Sequence, residues 1–315
     1  MEAVPKLLTH LQTEMSKVVV GQEELRKQCL LALLCKGHVL LEGVPGIAKT
    51  LAVKTLSRLL RLKFQRVQCT SDLMPADITG TNVLNMATSA FQFHAGPVFT
   101  DLLLVDEVNR MPPRTQAALL ECMEEHQVTI DGTRHQLSPL FTVFATQNPV
   151  EFEGTYPLPE AQLDRFLLKV LVGYPEAEQE VQLLSNVQEG FDSHELDRME
   201  LVAVEPDLLA QAQQETSVVK VEPALFGYIV QVARRTRDWL SLSLGASPRA
   251  AISLMAVAKG IAAMDGRDYL IPDDVKSAAL PVLRHRLVLK PEADLEGITP
   301  DQVIQDVLRA VEVPK

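Results

Sequence analysis

The sequence predicts an α/β protein, with a parallel sheet in the first half and an α-helical part after it. Three observations predict this. The apolar run Val39-Leu40-Leu41 leads into a glycine-rich turn and then into a segment with helical spacing. The run Leu102-Leu103-Leu104-Val105 is apolar throughout, as in a strand buried on both faces of a parallel sheet. Beyond Tyr174-Pro175 the strand patterns give way to apolar stripes at helical intervals.

From the amino terminus, Leu7 to Leu34 reads as helix, short connector, helix, because Val18-Val19-Val20-Gly21-Gln22 breaks the helical period. Such a connector either wraps an adenine base, with Val19 and Val20 on its face, or is a hydrophobic linker; both readings stay open. Next comes Gly43-Val44-Pro45-Gly46-Ile47-Ala48-Lys49-Thr50, which reads as a phosphate-binding loop. A strand enters a tight turn, and the turn opens a helix whose first N–H groups have no intrahelical partner and point at an anion. Lys49 would reach the β- and γ-phosphates, Thr50 would hold Mg²⁺, and Gly43 and Gly46 would let the backbone approach the phosphates. The pattern G-x-x-x-x-G-K-[ST] has glycine before the lysine, where this chain has Ala48; a methyl is tolerated there if φ is negative. Leu51 opens the helical run Leu51 to Leu60 and is counted with the nucleotide-binding residues.

Phe64 to Thr70 alternates as a strand should, and completes a strand-helix-strand unit. Residues 75–97 are rich in turn formers, with alternating Phe91 and Phe93, and read as an insertion of loops and a hairpin. His94 within it has no His or Cys partner at ligand spacing and reads as a surface residue. The strand Leu102 to Val105 ends in Asp106-Glu107, a Walker B pattern. Asp106 would hold Mg²⁺ and Glu107 would polarise the water that attacks the γ-phosphate. Pro112-Pro113 starts a helix with an apolar stripe at Leu119, Leu120 and Met123. A hairpin follows over residues 127–137, signalled by Asp131-Gly132 between β-branched flanks. The strand Phe141 to Thr146 ends at Gln147-Asn148, and Asn148 is the candidate sensor of the γ-phosphate or the attacking water. A short helix from Pro159 to Phe166 feeds the last strand, Leu167 to Val172. Helices over Glu176–Val187, Glu205–Gln214, Pro223–Trp239, Ser247–Met264 and Pro272–Leu283 follow, and a final short one ends near Val311. Arg284-His285-Arg286 reads as a solvated helix end. The domain division is therefore 1–174, the nucleotide-binding core, and 175–315, the helical lid.

Composition limits the function classes. With 315 residues, 47% hydrophobic and 23% charged, the chain is of globular type and long enough for two domains. The formal net charge of −11 argues against a DNA-coating surface. No apolar run spans a bilayer, and Met1 to Lys6 lacks the basic start and apolar core of a secretory signal, so a cytoplasmic location is expected. Cys29, Cys35, Cys69 and Cys122 lack C-x-x-C spacing and read as reduced thiols.

Taken together, Gly43 to Thr50, Val105 to Arg110, Ala145 to Pro149, Leu163-Asp164-Arg165-Phe166 and Gly245-Ala246-Ser247-Pro248-Arg249-Ala250 resemble the MoxR family of AAA+ ATPases. Alanine before the lysine is usual in that family. The resemblance runs from about Val18 to Leu289 and implies a five-stranded parallel αβα core, a helical lid, ATP and Mg²⁺ as cofactors, and a ring that is usually hexameric. It implies that Arg165 is an arginine finger reaching the γ-phosphate bound by the neighbouring subunit, and that Arg249 is the second sensor, reaching it from the lid. Without the resemblance, Arg165 would read as a salt-bridge partner of Asp164 or Glu160. Family members remodel partner proteins, often with a von Willebrand A domain, and often mature or metal-load an enzyme. A DNA-associated motor sharing the same ATP machinery is the alternative, and a nucleotide-binding scaffold without turnover is the third reading.

Overall fold

In the computed structural model, residues 1–150, 154–192, 196 and 198–314 are described. The amino-terminal helix α1 (Ala3–Ser16) buries Val4, Leu7, Leu11 and Met15, one stripe at helical spacing. Helix α2 (Glu23–Leu34) starts with Glu23 and Glu24 in its first turn, where carboxylates complement the N-terminal dipole. Between them Gly21 and Gln22 both take positive φ, 66° and 55°.

The core follows as β1 (Val39–Glu42), α3 (Lys49–Leu59), β2 (Phe64–Gln68), α4 (Pro75–Thr79), β3 (Gly80–Asn85), β4 (Ala90–Ala95) and β5 (Leu102–Asp106). It continues with α5 (Pro113–Glu125), β6 (Gln127–Ile130), β7 (Thr133–Gln136), β8 (Thr142–Gln147), α6 (Glu160–Leu163) and β9 (Leu168–Leu171). Five strands form one sheet in the order β2-β5-β8-β1-β9, and every pairing is parallel. Successive residues go to opposite faces, as strand geometry requires. Leu102 and Leu104 join one apolar cluster together with α1, α2, α3 and later helices. Leu103 and Val105 join the other, with Leu119 and Met123 of α5. The sheet is thus sandwiched between helical layers. The 75–97 insertion is a short helix and the β3–β4 hairpin, and the 127–137 hairpin turns at Asp131 and Gly132 with φ of 48° and 80°.

The second part comprises α7 (Ala177–Gln188), α8 (Leu208–Ser217), α9 (Pro223–Arg237), β10 (Leu242–Leu244), α10 (Pro248–Met264), α11 (Pro272–Leu283), β11 (Val288–Leu289), α12 (Pro291–Leu295) and α13 (Pro300–Ala310). Proline opens α9 to α13, and the Ser247 and Thr299 hydroxyls cap α10 and α13. The small β10–β11 pair and α12 have no counterpart in the sequence reading, being too short to show a period. The polar loop expected over Gly190 to Arg198 lies partly outside the described residues. Helix α13 caps the lid, burying Val303, Ile304 and Val307 against α9 and α11.

Arg284-His285-Arg286 is not a solvated helix end. His285 and Arg286 are each 6% exposed. The Arg286 guanidinium donates to Asp164 Oδ1 at 2.6 Å and to the carbonyls of Phe166 and Leu167 at 2.7 and 3.2 Å, while Arg284 pairs with Asp301. The charges tie the end of α11 to the chain between α6 and β9, a tertiary contact with no local pattern. The four cysteines are free, and burial pushes each thiol pKa up to about 12. Among the described residues no helix is long and apolar enough to cross a membrane.

Candidate active site

The strand order sets the C-terminal ends of β5, β8 and β1 side by side, so the loops that leave these strands converge. This is the edge at which open parallel sheets bind ligands. The phosphate loop leaves β1 and is anchored at once: Gly43 N–H donates to the Gln147 carbonyl at 3.2 Å. A Cβ on Gly43 would stand 2.5 Å from the Val172 carbonyl oxygen, so only glycine lets the loop start that close to β9. Gly46 takes φ of 83° and has open space where a side chain would stand. Ala48 also takes positive φ, 64°, contrary to the expectation that its methyl requires negative φ. The loop runs into the N-terminus of α3, which has no side-chain cap and whose first N–H groups suit an anion.

Beside the loop lies a cavity of about 490 Å³. Pro45, Gly46, Ile47, Ala48, Lys49, Thr50 and Leu51 form one side. Asp106, Glu107 and Asn148 line it as well, as do Val20, Pro175, Leu183 and Phe191. Gly43 and Val44 frame it from behind, their carbonyls accepting from Lys49 Nζ at 2.6 and 2.7 Å. Partial burial lowers the Lys49 pKa, and Asp106 and Glu107 oppose that shift. Val19 does not line the cavity, and Val18 lines it instead, although both are 1% exposed and belong to the core. The left-handed Gly21 and Gln22 end the connector in a turn, where strand alternation does not say which valine faces which side.

Each carboxylate is held. Asp106 Oδ2 accepts from Arg66 Nε at 2.6 Å, and Oδ1 accepts from Thr146 Oγ at 3.2 Å. The Thr146 hydroxyl also accepts from Glu107 N–H at 2.9 Å. Glu107 has φ of 58°, accepts from Gln68 Nε2 at 3.1 Å and is ion-paired with Arg110 at 3.2 Å. Asn148 is 7% exposed, and its Oδ1 accepts from Val150 N–H at 3.2 Å, which fixes the amide at the end of β8. Arg66, Gln68 and Thr146 were missed by the sequence reading. Arg66 and Gln68 are alternate residues of a strand whose register sets Gln68 beside Asp106, but the neighbour of β2 is known only from the sheet.

The cavity fits a nucleoside triphosphate, since a helix N-terminus and a lysine stand in it together with apolar Val18, Val20, Leu183 and Phe191, which could take the base. Thr50 and Asp106 could hold a divalent cation. One hydroxyl and one carboxylate suit Mg²⁺, an ion that takes few carboxylates and completes its shell with water and phosphate oxygens.

Arg165 and Arg249 line a different cleft, of about 230 Å³, beside Lys36, Gly37 and His38. Those residues precede β1, so the cleft lies at the opposite end of the strand from the phosphate loop. Arg165 Nη2 pairs with Glu124 Oε2 at 3.0 Å and Arg249 Nη1 with Glu124 Oε1 at 3.1 Å. The partner of Arg165 is thus neither Asp164 nor Glu160.

Comparison with known proteins agrees with this fold. The profile of the ATPase family associated with various cellular activities (AAA) matches residues 38–168, and the AAA lid domain matches residues 234–307. The "Chaperone MoxR1" of Mycobacterium tuberculosis is 43% identical over 96% of this chain and 81% of that protein. The chain belongs to the MoxR family of AAA+ ATPases. The uncharacterised protein YeaC of Bacillus subtilis is 44% identical over 99% of this chain and 97% of its own length. The crystal structure of a Cytophaga hutchinsonii protein provisionally named an ATPase superposes with a TM-score of 0.90 at 41% identity, over 99% of this chain and 96% of that one. As a MoxR-family member the chain is a nucleotide-binding ATPase, and its five-stranded sheet and helical lid are the AAA+ core and lid.

Proposed function

We propose that the chain is a Mg²⁺-dependent ATPase that works as a cytoplasmic ring, hexameric by resemblance, and that it spends ATP on remodelling partner proteins, among them proteins with a von Willebrand A domain. The observation that carries this reading is the position of Arg165 and Arg249 at the far end of β1 from the chain's own phosphate loop. That position supports a reading in which the two guanidinium groups serve a nucleotide held by another subunit.

Within one subunit the loop N–H groups and Lys49 bind the β- and γ-phosphates. Lys49 is held over the loop by the Gly43 and Val44 carbonyls and exchanges them for phosphate oxygens. Mg²⁺ bound at Thr50 and Asp106 would supply Lewis-acid charge beside the transferred group. Arg66 and Thr146 hold the Asp106 carboxylate in a fixed plane. Glu107 orients the attacking water once Gln68 and Arg110 release its carboxylate, and Asn148 offers its amide from β8. Arg165 and Arg249 of the next subunit meet the charge that spreads over the γ-phosphoryl oxygens; an arginine finger is worth roughly 10³–10⁵ in rate.

The client-facing surface is assigned to the two hairpins. Phe93 of β4 stacks on His135 of β7 with centroids 4.1 Å apart, and Asn82 donates to Asp131 at 2.7 Å, so the hairpins project as one unit. Its turn, Asp131-Gly132-Thr133, carries no aromatic residue, which speaks against threading an unfolded chain. Mixing Lys49→Ala and Arg165→Ala subunits tests the reading. Each alone should be inactive and mixed rings should regain turnover; normal assembly without regained turnover refutes a finger in trans. Capture of a partner by the Glu107→Gln variant with ATP would identify the client.

A further inference from the structure

One carboxylate stands between the two arginines. Glu124 lies in the last turn of α5, between Met123, which is buried in the core, and the helix end. Its two oxygens are divided between two elements: Oε2 faces Arg165, just after α6, and Oε1 faces Arg249, in the first turn of the lid helix α10. Among the described residues Glu124 is the only side-chain partner of either arginine. A second contact runs parallel to this one: Ser247, the N-cap of α10, donates to Asp164 Oδ2 at 3.1 Å, and Asp164 is itself held by buried Arg286. The start of the lid helix is thus fastened to the core at Asp164 and at Glu124.

We propose that Glu124 is a positioning residue for hydrolysis in the neighbouring subunit: it holds Arg165 and Arg249 together as one cationic pair with a set spacing. This rests on the proposed action of Arg165 in trans. Two guanidinium groups this close repel each other, and a shared carboxylate cancels the repulsion while fixing where each group points. The arrangement wastes little donor capacity. Each guanidinium carries five N–H donors and each uses one nitrogen on Glu124. The side chains stay 29% and 46% exposed, leaving the other donors for phosphate oxygens. With two cations and one anion the cluster keeps a net charge of about +1 toward the nucleotide.

The charge count separates positioning from simple neutralisation. Glu124→Gln raises the cluster's positive charge but loses the shared carboxylate, so neutralisation predicts faster turnover and positioning predicts slower. We expect Glu124→Ala and Glu124→Gln to lower kcat about 10- to 100-fold, while affinity for a fluorescent ATP analogue stays within about twofold, the signature of an interaction used only in the transition state. Because the defect lies in the subunit that donates the pair, Glu124→Ala should regain turnover when mixed with Lys49→Ala subunits and should not when mixed with Arg165→Ala subunits. Glu124→Gln, the closer isostere, should give the same pattern and covers the case in which the alanine variant fails to assemble. Unchanged or raised kcat in both variants overturns the proposal. So does failure of Lys49→Ala to rescue them while it still rescues Arg165→Ala. If Lys49→Ala and Arg165→Ala themselves do not complement, the reading in trans falls first, and the positioning role with it.

Discussion

Ala48 holds a left-handed backbone in the middle of the phosphate loop, with φ of 64° and ψ of 17°. That conformation costs an L-residue about 1–2 kcal/mol, while glycine gives back about 0.5–1 kcal/mol through its unfolded-state entropy. Ala48→Gly should therefore leave stability unchanged or raise it by up to about 1.5 kcal/mol, seen as an equal or higher urea midpoint, with ATP turnover retained. Ala48→Val puts a β-branched residue where it is a true outlier and should weaken ATP affinity about tenfold or more; equal affinity would show that the loop tolerates either sign of φ. His38 carries a second constraint. Its Nδ1 accepts from Val143 N–H at 2.9 Å and its Nε2 lies 3.1 Å from the Met123 carbonyl, so the buried ring is held neutral with its proton on Nε2. Burial pushes its pKa down from 6.5 to about 4 and also lowers that of His285. Below pH 6.5 the unfolded chain takes up protons that the folded chain refuses, so stability is greatest above that pH and is lost as pH falls toward 4. Urea unfolding between pH 7.5 and 5, in roughly half-unit steps, should show this slope before the carboxylates titrate, and a flat profile would mean that neither ring is held neutral.

The junction of α11 with the α6–β9 segment is where element packing departs furthest from what the sequence announces. The elements themselves were readable. Prolines at helix starts, Ser247 as a cap, Asp131-Gly132 as a turn and the apolar run of β5 each act locally, and each structure formed where its local signal stood. The gathering of Lys49, Thr50, Asp106, Glu107 and Asn148 around one cavity was readable in the same measure, since they stand at or beside the ends of elements whose types were clear. Arg66, Gln68, Glu124 and Asp164 were not, because each gains its meaning from a neighbour distant in sequence. Arg284-His285-Arg286 misled for that reason: a basic triplet at a helix end is ordinarily solvated, and only the fold brings Asp164 to it. Asp164→Asn should reveal the energy involved. It leaves Arg286, whose side chain is 2% exposed, with carbonyl acceptors but no counter-charge. Stripping one partner from a buried pair costs about 3–5 kcal/mol, and the carbonyls and partial exposure of Asp164 keep the expected loss near about 3 kcal/mol. A shift of the urea midpoint worth less than about 1 kcal/mol would assign the lid's attachment to apolar packing alone.

The architecture separates what a subunit binds from what it gives. The cavity proposed for nucleotide lies at the C-terminal ends of β1, β5 and β8, while the arginines stand by residues that precede β1. The strand between them, Val39–Glu42, has four residues and is roughly 13 Å long at about 3.3 Å per residue. Both arginines are also fastened to Glu124, which belongs to the core and moves with it. On the proposed reading no swing of these side chains brings them round the sheet to the chain's own cavity, and one subunit holds both halves of an active site at a separation that hydrolysis cannot use. Turnover per subunit should therefore depend on assembly: diluting the protein at saturating ATP and Mg²⁺ should lower specific activity in step with the loss of oligomer followed by light scattering. Arg165→Ala should show the low activity of the dilute protein at every concentration, while its ATP affinity stays within about twofold of the parent's. Constant specific activity down to concentrations at which only monomer scatters would mean that the arginine pair serves some other purpose than hydrolysis.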